Sequence, residues 1–308
     1  MIKEYKYDDT VWIDVALPRT KEAKQLMQDY NISAIVADCI LSPSDKPKIE
    51  FFDDHIYMIL HFPAISHDNT GKTRNKEIDF IIGKNYLITV RYEELKSVLK
   101  FAKEFEIACS LHKHKKGEKK QNGGTIFFHI ISEFYRSFME KLDYLDISLL
   151  KIESEIFSGK EKEMVQKLSD ASRYIMGFEN TLENHRDTLQ TFEKESVKFF
   201  GKEFEQNAFS IMLGFNRVDR VVSNKRRFLT ELRETNNSLL STKQNEITKT
   251  LTVVAFITLP LTLISSIFGL NTNNVPLVAR EDGFWVILGL MGAVTLLTYL
   301  FFVYKKWL

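Results

Sequence analysis

The sequence predicts an α+β domain with a mixed sheet, then a long helical stalk, then a C-terminal two-helix transmembrane hairpin. Three observations carry this expectation. Between Thr250 and Ala279 no residue is charged, and positions 251–268 alone are long enough to cross the hydrocarbon of a bilayer as a helix. A second apolar run, 283–304, follows after a short loop. Ahead of them, short β-branched and aromatic runs give way near residue 125 to apolar residues recurring at steps of three and four.

Positions 1–111 read as the α/β domain. Strands are expected at 11–16, 49–52, 56–62, 78–82 and 86–91, most of them bounded by Asp, Gly, Asn or Pro. Helical spacing covers 21–30, 32–41 and 93–111. The turn residues Asp68-Asn69-Thr70-Gly71 predict a hairpin around 66–74. Cys39 and Cys109 are far apart and show no CxxC pattern, which predicts no disulfide framework and a reducing compartment. The opening MIKEYKYDD has acids and no apolar core, so no signal peptide is expected and this domain is assigned to the cytoplasm.

Positions 112–124, HKHKKGEKKQNGG, read as a polar, basic linker. His112 and His114 are taken as part of a solvated loop, since the neighbouring lysines oppose a bound cation. A helical hairpin is expected over 125–200. Its first seam is Phe127, Ile131, Phe134, Phe138, Leu142, Leu145, Leu149, Ile152 and Ile156; Ser158-Gly159 ends that helix. The second seam is Val165, Leu168, Ala171, Ile175, Phe178, Leu182, Leu189 and Phe192.

A stalk helix is expected over 201–250, starting near Lys202. Its seam, Ile211, Phe215, Val218, Val222, Lys225, Leu229, Leu232, Asn236 and Leu239, alternates steps of four and three, with Lys225 and Asn236 as polar intrusions that select register. No proline lies between Pro63 and Pro260, so the stalk is free to run unbroken into the first span, 251–268. Residues 202–268 as one helix make a rod of roughly 100 Å. An external loop, 269–282, the second span, 283–304, and a basic tail, 305–308, complete the chain. Lys243 and Lys249 flank one end of the hairpin and Lys305 and Lys306 the other, whereas the loop has only Arg280, beside Glu281 and Asp282. Both termini are therefore expected in the cytoplasm, with Trp285, Tyr304 and Trp307 as interfacial anchors.

The first span is not uniformly apolar. Asn245, Thr248, Thr252, Ala255, Leu259, Thr262 and Ser266 recur at steps of three and four and form one stripe. Hydroxyls and amides inside a bilayer turn away from lipid, either against other helices or around water. Two helices enclose no lumen, so a water path requires several copies of the chain.

The span ends in Phe268-Gly269-Leu270-Asn271, followed by Val275-Pro276-Leu277. Here the chain resembles the CorA family of pentameric divalent-cation channels, whose signature at this place is Tyr-Gly-Met-Asn. The resemblance also takes in Asn245-Glu246-Ile247, Leu251-Thr252, Leu259-Pro260-Leu261-Thr262 and the terminal Lys305-Lys306-Trp307-Leu308. It recurs upstream in Lys46-Pro47-Lys48-Ile49-Glu50-Phe51-Phe52 and over 82–90, and so covers nearly the full chain.

The resemblance implies a funnel-shaped homopentamer in the cytoplasmic (inner) membrane, with the first span lining a pore. The stripe would then face the axis, and Leu251 and Leu259 would be the narrow points, able to gate by dewetting. Gly289, Gly292 and Ala293 would let the second span pack closely on the inner ring. Gly269, Leu270 and Asn271 would form the selectivity mouth, where Asn271 amide oxygens hold a hydrated ion through its waters. The cargo implied is Mg2+, with Co2+ and Ni2+ as companions, driven by the membrane potential. The family's inhibitory metal sites would leave Asp38, Asp219 and Glu234 as weak regulatory candidates. The departures are Leu270 for methionine, Phe268 for tyrosine, no glutamate after Pro276, Cys39 where an acid is expected, and Thr248 where the family often has methionine. Arg217, Arg220, Lys225, Arg226 and Arg227 stand in a stalk region that is often acidic in the family. Cys39 and this basic stalk region predict altered or absent inhibition by magnesium. Rival readings are a zinc transporter of the same superfamily and a non-conducting membrane-anchored scaffold. An enzyme is not expected: there is no GxxxxGK[ST] stretch, no nucleophile elbow and no ligand-spaced set among the seven histidines. No cofactor is expected. The net charge of +1 predicts no nucleic-acid partner, leaving the bilayer and further copies of the chain as the partners.

Overall fold

The computed structural model describes residues 2–7, 9–63, 75–111, 122–269, 282–305 and 307. The chain divides into two compact units, Met1–Arg233 and Glu234–Leu308. The expected hairpin at 66–74 lies outside the described residues, as do His112 and His114.

The first unit is built on a six-stranded mixed sheet. Its strands are β1 (Ile2–Tyr7), β2 (Thr10–Ala16), β3 (Lys48–Phe51), β4 (His55–Pro63), β5 (Asn75–Gly83) and β6 (Tyr86–Arg91), in the order β1-β2-β6-β5-β4-β3. Only β2 and β6 run parallel; Val11 pairs with Tyr86 and Ala16 with Arg91. Every residue of β4 is buried, which fits a strand covered on both faces by helices. One face takes α1 (Thr20–Tyr30) and α2 (Ala34–Cys39): Ala23, Leu26, Val36 and Ile40 pack on Ile13, Tyr57, Ile59 and Val90. The other face is aromatic. Trp12 meets Phe101 and Phe105 of α3 (Lys96–Leu111) at 5.1 and 5.7 Å between centroids. Phe62 stacks on Phe134 at 4.0 Å and Phe80 meets Phe127 at 5.1 Å, both on α4 (Gly123–Phe157).

The strand β1 is absent from the sequence reading. Its lysines and glutamate hide a strand that pairs on one side only, along β2. Between β2 and β6, the buried guanidinium of Arg91 bonds both carboxylate oxygens of Asp14 at 3.1–3.2 Å. Asp14 also accepts from the Thr89 hydroxyl, and the Trp12 indole N–H donates to that hydroxyl in turn.

The linker expectation is corrected at its end. α4 begins at Gly123, and both Gly123 and Gly124 are buried in its first turn. A Cβ at Gly123 would lie 2.1 Å from the Tyr86 carbonyl oxygen and 2.3 Å from that of Gly83. The glycine is needed for close approach to the β5–β6 turn. Asn122 caps the helix, its Oδ1 accepting from the Thr125 N–H at 2.8 Å, and the Gly123 N–H donates to the Lys84 carbonyl.

The helix α5 (Glu161–Phe200) returns after Gly159, whose φ of 92° is a conformation glycine adopts without strain. The α4 seam is buried at every expected position. In α5, Met164 is buried and Val165 is 51% exposed, so the seam starts one residue earlier than the spacing suggested. A short 3-10 turn, Lys202–Phe204, precedes α6 (Glu205–Phe268), which therefore starts just after the expected Lys202. The α6 seam is buried from Ile211 to Leu232. Lys225 sits in it, and its Nζ bonds Asp146 Oδ1 of α4 at 2.6 Å. A tie of this kind fixes register more than it adds stability.

His185 of α5 is fully buried and joins three elements. Its Nε2 lies 2.8 Å from the His61 carbonyl oxygen, so this nitrogen carries the proton. Nδ1 is then free to accept from the Tyr135 hydroxyl at 3.2 Å. Burial pushes its pKa down to about 4. A lowered folded pKa gives stability that is present above the unfolded value and lost as pH falls through the folded one. The window runs from about 6.5 to about 4, and the full effect is about 3 kcal/mol. His185→Leu is expected to lower the melting temperature at neutral pH, because the Tyr135 hydroxyl and His61 carbonyl lose their partner. The gap between wild type and variant is expected to narrow as pH falls through this window, measured by thermal melting in detergent.

Candidate functional site

The second unit contains the upper part of α6 and α7 (Gly283–Tyr304). Both helices are long and apolar enough to cross a membrane. The rings of Phe256 and Phe302 meet at 6.0 Å between them, and Val253 and Phe302 are buried. The least exposed positions of the span are Thr252, Val253, Ile257, Pro260, Leu261, Ile264 and Phe268, which mark the face turned to α7. On α7 they are Met291, Val294, Thr295, Thr298 and Phe302 among their neighbours.

The polar stripe lies elsewhere. At 100° per residue, Asn245, Thr248, Thr252, Ala255, Leu259, Thr262 and Ser266 fall about 180–280° around the helix from Val253. All but Thr252 are exposed. Leu251, 65% exposed, flanks the stripe, and Leu259 within it is 67% exposed. The stripe is therefore turned away from the chain's own second span, and its hydroxyls do not serve to join the two helices of one hairpin.

Each stripe threonine is bonded to the turn below. The hydroxyls of Thr248, Thr252 and Thr262 donate to the carbonyls of Gln244, Thr248 and Thr258 at 2.9, 2.7 and 2.9 Å. With the proton committed to the helix, the oxygen offers lone pairs outward. A surface of such oxygens accepts from water or approaches a cation. Thr258 has the same bond, to Val254, and flanks the stripe near Thr262; the sequence reading passed over it because it breaks the four-three step. Pro260 lies inside the helix and removes the donor that the Phe256 carbonyl would otherwise have.

Gly269 closes the span, its N–H donating to Ser265 at 2.9 Å. Leu270 and Asn271 lie outside the described residues. Asp38 is exposed on α2, and Asp219 pairs with Arg186 at 3.0 Å. Glu234 is exposed on α6. Among the described residues no three His, Cys, Asp or Glu side chains gather in a way that could hold a metal ion. Within the single chain a Cβ at Gly289 or Gly292 would meet nothing within 4 Å.

The chain matches the family described as CorA-like Mg2+ transporter protein over residues 7–306. It is 24% identical to the cobalt/magnesium transport protein CorA of Thermotoga maritima, covering 96% of this chain and 83% of that one. It is 23% identical to the protein of the same name from Methanocaldococcus jannaschii, covering 100% of this chain and 95% of that one. The solved complete structure of the CorA magnesium transporter from M. jannaschii superposes with a TM-score of 0.82 at 22% identity, covering 99% of this chain and 94% of that one.

The hairpin contact gives a direct check. Phe302→Ala is expected to destabilise the protein by an amount toward the low end of about 3–5 kcal/mol, read as a lower melting temperature in detergent. Leu297→Ala, at a position 68% exposed, is expected to change stability by no more than about 0.5 kcal/mol.

Proposed function

The chain belongs to the CorA family, and from that premise we propose that it is a channel-like transporter moving divalent cations, magnesium and cobalt foremost, across the cytoplasmic membrane. The observation that carries this reading is the stripe: a row of lone-pair-bearing hydroxyls on a membrane span, on the side opposite its own hairpin partner. Such a row is costly against lipid and useful around water.

In this reading five copies assemble with their first spans inward, their second spans outside and both termini in the cytoplasm. Asn245, Thr248, Thr252, Thr262 and Ser266 line the path, with Leu251 and Leu259 as its narrow apolar points. Rings of Thr oxygens hold the ion's water shell without removing it, which suits magnesium, an ion that dehydrates reluctantly. Asn271, with Gly269 and Leu270, forms the outer mouth, where a neutral amide ring attracts the hydrated ion without trapping it. A divalent ion gains about 4.6 kcal/mol per 100 mV on moving inward, so the membrane potential suffices as driving force. The chain acts as no enzyme and carries no cofactor. Magnesium inhibition is altered or absent in this reading, with Asp38, Asp219 and Glu234 as its weak candidates and Asp219 already paired with Arg186.

Purified protein in liposomes, with a membrane potential imposed, tests the reading. Uptake of Mg2+ and Co2+ is expected, and Asn271→Ala is expected to abolish it. Thr262→Val removes one polar ring at constant shape, and its uptake is expected to be about tenfold or more slower. Zinc uptake exceeding that of magnesium would assign the chain to zinc instead. A scaffold has no flux to lose, so an absence of uptake for Mg2+, Co2+, Ni2+ and Zn2+ alike would sink the proposal.

A further inference from the structure

A groove of about 340 Å3 lies in the first unit, between α4 and α6. Ser132, Tyr135 and Met139 line it from α4, and Ser210, Gly214 and Arg217 from α6. Both sets recur at steps of three and four, so each wall is one face of its helix. The two helices run in the same direction. Tyr135 lies beside Gly214, and eleven residues further along each helix Asp146 meets Lys225. Ser132 and Ser210 therefore mark one end of the groove and Arg217 stands toward the other. The middle is apolar: Ile211 and Val218 are buried there, and the Tyr135 hydroxyl is committed to His185, which leaves the ring to line the wall.

Gly214 and Arg217 are not explained by the packing of the described residues. A glycine inside a helix is less stable than an alanine at the same place. At Gly123 the nearness of two carbonyls demands it, but a Cβ at Gly214 would meet only the edge of the Tyr135 ring, at 3.4 Å. The chain's own packing admits alanine here; what the glycine preserves is the depth of the groove. Arg217 is exposed, and among the described residues its guanidinium has no ion pair or hydrogen bond. No acid stands three or four residues from it on α6. Arg136, also at the groove, is answered by Glu133 and by Glu104 at 3.4 Å. The Ser210 hydroxyl has given its proton to the Gln206 carbonyl at 2.7 Å. The charge left over is that of Arg217, so a single anionic group complements the groove.

We propose that this groove binds a compact, water-soluble organic anion, its flat apolar body lying over Gly214 against Tyr135 and its one carboxylate or sulfonate group held by Arg217. The volume falls in the range of about 300–1,000 Å3 found for small-molecule sites, which are mostly apolar with a few placed polar groups. Length argues against a membrane lipid as the occupant. From Ser132 to Met139 the α4 wall extends roughly 10 Å at helical rise. The acyl chains of one leaflet span about 15 Å, half the hydrocarbon core.

Isothermal titration calorimetry of the full chain in detergent with naphthalene sulfonate, against empty micelles as the blank, reads this directly. Saturable binding at one site per chain is expected. Arg217→Gln is expected to weaken it about tenfold or more, the loss of one charge-assisted hydrogen bond. The neutral naphthalene sulfonamide is expected to bind the wild type more weakly by a similar factor. Gly214→Ala is expected to weaken the sulfonate about tenfold or more while melting at or above the wild-type temperature, since alanine is the better helix former. No saturable binding by the wild type, full affinity in either variant, equal affinity for the sulfonamide, or a Gly214→Ala protein that melts lower or fails to fold would each overturn the proposal. Displacement of the sulfonate by phosphatidylglycerol added to the micelles would assign the groove to lipid. A smaller assembly in Gly214→Ala would assign it to a second copy of the chain. Either result overturns the proposal as well.

Discussion

A hydroxyl in a hydrocarbon layer has to be satisfied, and here the helix satisfies half of it. The stripe threonines give their protons to the turn beneath and keep their lone pairs. The remaining need is for hydrogen-bond donors or a positive charge, and neither lipid tails nor the chain's own second span supplies them. The rings of Phe256 and Phe302 meet between the two helices, and every stripe position but Thr252 stays exposed. In the proposed function, further copies of the chain around a wet axis would meet that one requirement. This need separates a conducting assembly from an ordinary anchor more sharply than hydropathy does, because two greasy helices alone would serve either purpose.

The first unit handles polarity differently. Its sheet is covered on both faces, and several of the polar groups inside find partners there: Arg91 with Asp14, His185 between Tyr135 and His61, Glu77 with Ser44 and Asp79 with Tyr57. Such networks add little net stability compared with apolar packing, but each fails badly if one member is removed. They therefore specify arrangement. Lys225 on Asp146 does the same for the helices, fixing which turn of α6 faces which turn of α4.

Much of this was readable from the residues. Long seams at steps of three and four are redundant signals, so the α4 seam was right at every position and the α5 seam failed only at Val165, where two neighbouring apolar residues competed for one place. The two spans and the stripe were legible because charge is absent and polarity periodic. β1 was not, since a strand with a single neighbour keeps lysine and glutamate. Gly123 read as a linker residue because composition cannot distinguish a glycine chosen for freedom from one chosen for lack of bulk. The buried carboxylates of β5 escaped notice for another reason. Glu77 and Asp79 look like any alternating polar positions until Ser44, His61, Tyr57 and Tyr92 are brought to them from elsewhere in the chain.

The seat of Gly123 against the β5–β6 turn has one more implication. With that residue wedged under two carbonyls, and Asn122 capping just before it, the origin of α4 is anchored by the sheet and owes nothing to what precedes it in the chain. Extra residues inserted between 111 and 122 would leave the downstream helices in place, because the start of α4 is fixed at Gly123 by the sheet. That position is thus a natural port for grafting a reporter, an affinity handle or a regulatory module onto the protein.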